Sequence, residues 1–203
     1  MKRKNQCTGA LLALFGLTLV ASAQTPSSKP SAEGPVTDVA ATFTVERAKV
    51  QASACSCFWL KGGSGDAAVT FYHGLGVALN ITAEHATNIV QGINLGKFSA
   101  MVGPRYTLNT GHLGRHRVRV FGEALFGGVH GYDSLFPTSN GNVYSIGAFS
   151  MQAGVGSDVD IAHGFAIRPF EVDYVRTTLP NNGSNTQNDL RLAAGLAFRF
   201  PHR

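Results

Sequence analysis

The feature that most constrains this chain is an alternation of period two that returns eight times. It is cleanest in residues 189–200, Asp-Leu-Arg-Leu-Ala-Ala-Gly-Leu-Ala-Phe-Arg-Phe. Side chains of a β-strand point to opposite faces in turn. Leu190, Leu192, Ala194, Leu196, Phe198 and Phe200 therefore form one apolar face, and Arg191, Ala193, Gly195, Ala197 and Arg199 a face that is small or charged. A soluble sheet lays the apolar face on a core and the charged face in water. A transmembrane barrel turns the apolar face to lipid and the other to a packed polar lumen. This strand taken alone leaves both open.

The same alternation predicts strands over residues 39–50, 58–72, 75–83, 97–106, 117–129, 145–158 and 165–176. In the fourth, Phe98, Ala100, Val102, Pro104 and Tyr106 oppose Lys97, Ser99, Met101, Gly103 and Arg105; in the sixth, Phe149, Met151, Ala153 and Val155 oppose Ser150, Gln152, Gly154 and Gly156. Glu46, Arg47 and Lys49 blur the pattern of the first. The seventh changes parity at Arg168-Pro169, which predicts a β-bulge there. Connections alternate in length: short near 73, 108–116 and 159–164, long over 51–57, 84–94, 130–144 and 177–188. An even strand count with unequal connections at the two ends predicts an all-β fold, an eight-stranded antiparallel up-and-down transmembrane β-barrel of the outer-membrane kind. With the N-terminus on the periplasmic side, the long loops face the exterior. The 24 glycines, dispersed along the chain, suit tight turns and a crowded interior and do not suit a helical bundle.

The first residues predict export. Met1-Lys2-Arg3-Lys4 precedes an apolar run from Gly9 to Val20, and Ala21-Ser22-Ala23 closes it. That is the pattern of a signal peptide over 1–23, cleaved after Ala23. The apolar run is shorter than the roughly 20 residues a membrane-spanning helix needs. Cys7 lies before the run and no cysteine stands directly after the cleavage site, where Gln24 follows Ala23, so no lipoprotein anchor is expected. Residues 24–38 are rich in Pro and Ser and are expected to be a disordered lead-in, with the barrel over 39–200. Removing Lys2, Arg3 and Lys4 from 17 basic residues leaves 14 against 12 acidic, a net +2. Without a basic run interleaved with aromatics, nucleic acid is not an expected partner. Cys55 and Cys57 remain; a ring across one intervening residue is strained on extended chain, and whether they pair is left open.

Two features favour a membrane barrel over a soluble lipocalin-like one, which would put the apolar faces inward. The faces opposite the apolar ones carry Gly, Ala and Ser among their charges, as a narrow interior requires. The charges are also balanced in sign, with Arg105, Arg117, Arg119 and Arg191 available to Glu123, Glu171, Asp173 and Asp189. Buried charges need such partners. Arg117, Arg119 and Glu123 are accordingly expected to pair with Glu171, Asp173 and Arg191 and to brace a lumen plugged by side chains.

Phe58-Trp59-Leu60-Lys61-Gly62-Gly63-Ser64, Val102-Gly103-Pro104-Arg105-Tyr106, Phe126-Gly127-Gly128 and Asn188 to Gly195 with Phe198-Arg199-Phe200 resemble small OmpA-type outer-membrane β-barrel proteins, particularly those of acidobacteria. The resemblance runs from about residue 39 to 200. It implies insertion by the barrel-assembly machinery, which reads a terminal strand with alternating apolar residues and a closing aromatic. Leu196, Phe198 and Phe200 match that signal, with Pro201-His202-Arg203 following. No peptidoglycan-binding domain such as OmpA carries is expected.

Other chemistry finds little support. His112 and His116 have the i, i+4 spacing of a helical metal pair, but Gly111 and Gly114 make the segment a turn. Glu84-His85 with Thr87 lacks the serine a lipid A deacylase would need. Gly63-Ser64-Gly65-Asp66-Ala67-Ala68 matches a loose dinucleotide fingerprint but opens no helix. No catalytic, cofactor or metal site is assigned. The expected function is a non-enzymatic outer-membrane barrel with a structural or surface-interaction role, in contact with outer-membrane lipids and lipopolysaccharide. It is expected to be a monomer, with loops 84–94, 130–144 and 177–188 offering surface to an extracellular partner. The alternatives are an outer-membrane lipid-modifying enzyme and a soluble periplasmic ligand-binding barrel.

Overall fold

The computed structural model describes residues 35–50, 56–90, 92–181 and 185–201. The expected signal peptide, most of the expected lead-in and Cys55 lie outside them. Ten strands are formed: β1 (Val36–Val50), β2 (Ser56–Tyr72), β3 (Leu75–Val90), β4 (Ile93–Leu113), β5 (His116–Tyr132), β6 (Phe136–Thr138), β7 (Gly141–Val143), β8 (Ile146–Ala162), β9 (Phe165–Thr177) and β10 (Gln187–Pro201). Eight of them close into a barrel in the order β1-β10-β9-β8-β5-β4-β3-β2, and β6 and β7 pair with each other in the β5–β8 connection. Each barrel strand is antiparallel to its neighbours, including the closing pair β1–β10. Closure leaves no free edge, which is how an all-β chain satisfies every wall carbonyl and amide without water.

The period-two pattern sorts the wall into two surfaces. Outward lie Phe43, Leu79, Ile81, Val102, Phe126, Val155, Phe170, Leu192 and Leu196, all exposed, whereas Glu46, Glu84, Arg105, Glu123, Asp158, Asp173 and Arg191 of the same strands are buried inside. On β10 the outward apolar run extends from Leu190 to Phe200. At about 3.3 Å per residue and a tilt of about 40°, it rises roughly 25 Å, the height of the apolar band of a membrane barrel. Aromatics flank this belt: Trp59, Phe98, Phe149 and Tyr174 towards the end bearing the long connections, here the loop end, and Phe71, Tyr72, Tyr106, Phe198 and Phe200 towards the end bearing the termini.

The turns at the terminal end are tight. His73 and Gly74 both have positive φ, 45° and 88°, the conformation of a two-residue turn whose twist matches the strands it joins. At the loop end the interior closes on an apolar cluster of Ala48, Leu60, Ala86, Leu95, Val129, Phe136 and Leu179. Phe136 comes from β6 and Leu179 from the β9–β10 connection, so two loops fold inward over the mouth.

Several boundaries differ from expectation. β1 starts at Val36 and takes in Asp38, whose side chain is buried among arginines. The 84–94 segment is mostly barrel wall: Glu84, His85 and Ala86 pair with Lys97, Gly96 and Leu95. The alternation runs on through these polar residues because Glu84 faces the lumen. His130 to Tyr132 likewise continue β5, and β4 extends to Leu113. The bulge at Arg168-Pro169 is present, seen as register shifts against both β8 and β10.

Candidate functional site

The lumen is the chemically distinctive part of the molecule. Its charged side chains come from alternate positions of the barrel strands and stack in layers from the terminal end to the loop end.

Nearest the termini, Asp38 on β1 accepts two hydrogen bonds from Arg199, from Nε at 2.8 Å and Nη2 at 3.1 Å. Across the barrel, Arg119 donates to Asp38 at 3.1 Å and to Asp160 at 2.6 Å. The central layer is built on Arg168 and Arg105. Arg168 Nε donates to Asp158 at 2.9 Å and Nη1 to Glu171 at 2.9 Å, with Asp66 at 3.5 Å. Arg105 donates from Nε to Glu123 at 2.7 Å and from Nη2 to Asp66 at 2.9 Å. The Phe121 ring belongs to the same layer, its centroid 4.3 Å from the guanidinium carbon of Arg105 and 4.4 Å from that of Arg168. These are cation–π distances. Gly156 makes room for that ring, since a methyl group at this position would overlap it.

Gln152 links this layer to the next. Its amide donates to Glu123 at 3.0 Å, and its carbonyl accepts from Arg191. Arg191 also donates to Asp173 at 3.1 Å and to the Thr82 hydroxyl at 3.1 Å, which in turn donates to Asn80 at 2.7 Å. Closest to the apolar mouth, Lys97 donates to Glu46 and lies 3.6 Å from Asp189. Glu84 is buried in the same layer.

The expected lumen residues are thus distributed as follows. Arg105, Arg119, Glu123, Glu171, Asp173 and Arg191 are buried in the interior, and Asp173 pairs with Arg191. Glu123 pairs with Arg105, Glu171 with Arg168, and Arg119 with Asp38 and Asp160, so the bracing assigned between the fifth strand and the seventh and eighth is replaced by other partners. Arg117 is corrected outright: it is exposed. It has lumen parity but stands at the start of β5, beyond the enclosed part of the wall. Arg168, Asp66, Asp158, Glu46, Lys97 and Asp38 were missed. Parity would have found Lys97 and Glu46; Arg168 sits on the bulge, where parity fails. Leu196, Phe198 and Phe200 are exposed on the outer face of β10.

Asp66, Glu123 and Glu171 form the one group of three possible metal ligands among the described residues. Each already pairs with Arg105 or Arg168, whose guanidinium charges take the role a metal would fill. Glu84 and His85 cannot act together, because Glu84 is buried in the lumen and His85 is exposed on the outer face. His112 and His116 lie on opposite strands of the β4–β5 hairpin, not on a helix.

The structure resembles solved barrels. The attachment invasion locus protein of Yersinia pestis, Ail, in complex with the heparin analogue sucrose octasulfate, aligns over 82% of this chain and 99% of its own at 18% identity and a TM-score of 0.54. Neisserial surface protein A aligns over 83% and 100% at 12% identity and a TM-score of 0.57. A second crystal structure of Ail aligns over 82% of this chain and 99% of its own at 13% identity and a TM-score of 0.51. No protein-family model and no curated protein sequence matches this chain. At such identities the likeness is one of fold: this chain has the OmpA-like eight-stranded barrel fold of small outer-membrane proteins.

Proposed function

We propose that this chain is an outer-membrane β-barrel protein, exported by the leader at 1–23, that serves the envelope in a structural or surface-interaction role and catalyses no reaction. The observation that carries the proposal is the inverted polarity of the wall. Nine carboxylates, Asp38, Glu46, Asp66, Glu84, Glu123, Asp158, Glu171, Asp173 and Asp189, and five cations, Lys97, Arg105, Arg119, Arg168 and Arg191, are buried. The large apolar side chains of the same strands are exposed. Such a surface is stable in lipid and not in water. A soluble ligand-binding barrel needs the reverse.

The lumen is filled. Eight strands enclose space only for side chains; ion pairs occupy its middle and the apolar cluster with Phe136 and Leu179 its mouth, so the barrel is a plug and not a diffusion pore. The short turns and termini face the periplasm, and the β6–β7 hairpin with the β9–β10 connection faces outward, where it meets an extracellular partner. Insertion proceeds through the barrel-assembly machinery acting on Leu196, Phe198 and Phe200. The protein works as a monomer, since closure leaves no strand edge to pair. The test is migration on a gel before and after boiling, followed by planar-bilayer recording. A detergent-stable species that shifts on boiling and gives no large steady conductance is expected. An unshifted band refutes the membrane barrel, and a large open-channel conductance refutes the plug.

A further inference from the structure

Charge is segregated across the wall. Among the described residues Asp133 alone of the acids is exposed, and it lies in the connection before β6. Of the six exposed cations among the described residues, Arg115 and Arg117 lie at the terminal end, and the other four gather on one side of the barrel at the loop end. Arg47 and Lys49 on β1, Lys61 on β2 and Arg176 on β9 all point outward. Their strands are contiguous: β2, β1, β10 and β9 are successive neighbours. Arg47 stands opposite Trp59 and Lys61 opposite Val45, so Arg47 and Lys61 are diagonal neighbours on one face. On the other side Arg47 stands opposite Leu190 and Arg176 opposite Asn188. At about 4.8 Å between strands the group spans roughly 14 Å. None of the four has an acidic partner among the described residues; Arg47 has only a contact from Nη2 to Cys57 Sγ at 3.6 Å.

We propose that these residues form a docking surface for a phosphate-bearing anionic lipid headgroup in the leaflet at the loop end. The site rests on the membrane-barrel reading above. Three observations select a lipid over a soluble anion. The side chains project sideways from the wall, not upward from a loop, so a ligand reaches them from within the leaflet. Leu190 stands beside Arg47, and Phe43 and Leu192 lie further towards the middle of the barrel, all exposed and apolar, a surface for the acyl chains. Trp59 and Tyr174, half-exposed, mark the level of the interface, where amphipathic rings settle; Tyr174 donates its hydroxyl to Asn188 at 2.5 Å. Arginines and lysines spread over about 14 Å suit a headgroup with more than one phosphate, bound through charge-assisted hydrogen bonds. Placing nearly all the acids in the lumen leaves this outer face free of like-charge repulsion towards such a ligand.

The experiment is native mass spectrometry of the refolded protein in neutral detergent, titrated with bisphosphorylated diglucosamine lipid (lipid A) and with the same lipid stripped of its phosphates. The phosphorylated lipid is expected to bind at least about tenfold more tightly, and its affinity to fall as salt rises. The triple variant R47Q/K61Q/R176Q is expected to lose that preference, while R115Q/R117Q, altered at the other end of the barrel, keeps it. Equal binding of the phosphate-free lipid, or full binding by the triple variant, overturns the proposal. So does soluble pyrophosphate or a sulfated saccharide that binds as tightly as the lipid. If the triple variant does not refold, comparison of the two lipids on the unaltered protein decides. Boiling-dependent gel migration of the same sample keeps the outcomes separate: a barrel that shifts but shows no phosphate preference removes this site and leaves the membrane barrel standing.

Discussion

Arg168→Met is the most informative single change to the lumen. The side chain is fully buried and serves Asp158, Glu171 and Asp66 as well as the Phe121 ring. Methionine keeps much of the volume and removes the charge. Removing one partner of a buried ion pair costs about 3–5 kcal/mol, because the remaining charge is left uncompensated. Here three carboxylates lose a cation, although Asp66 keeps Arg105, so a loss of about 4 kcal/mol is expected. Neutralising the stranded groups in the same background, R168M/D158N/E171Q, is expected to recover at least half of it, since the cost lies in unpaired charge and not in lost volume. The assay is urea unfolding in lipid vesicles, followed by emission of Trp59, the one tryptophan of the chain. A loss below about 1 kcal/mol for Arg168→Met, or no recovery in the triple variant, refutes the claim that the ion pairs brace the barrel.

Other changes probe separate parts of the account. Gly156→Val drives a side chain into the Phe121 ring and is expected to cost about 1–3 kcal/mol in the same unfolding assay. Glu171→Gln is expected to cost less than about 1 kcal/mol, because the amide oxygen still accepts from Arg168 and Arg168 keeps Asp158. Asp38→Asn takes the charged partner from Arg199, while Arg119 keeps Asp160, and a loss of about 2 kcal/mol is expected, read as a lower urea midpoint. Cys57 is exposed at the loop end. In a Cys55→Ser background a membrane-impermeant maleimide is expected to label it on intact cells.

Much of the wall was legible because strand parity is a local property. Outward Phe98 and Val102 and inward Ser99 and Arg105 follow directly from alternation on β4. Glu46, which seemed to blur the first strand, belongs to the lumen face, while Arg47 and Lys49 continue the outer face past the edge of the apolar belt. The ion-pair partners were not legible. Arg119 reaches Asp38 across the barrel and Arg191 reaches Thr82, contacts set by strand tilt and closure, which no short stretch of sequence encodes. Arg168 escaped because a bulge suspends the alternation at that residue. Loop boundaries were misplaced where polar side chains such as Glu84 are lumen residues and not solvent-exposed loop.

The central claim is that the apolar face of the wall meets lipid. Its most direct test places a single tryptophan at Leu192, mid-belt and exposed, in a Trp59→Phe background, and measures quenching by lipids brominated at mid-chain. Strong quenching in vesicles, with emission shifted to the blue, is the predicted result. Emission that the brominated lipids leave unchanged, while aqueous iodide quenches it, would contradict the account.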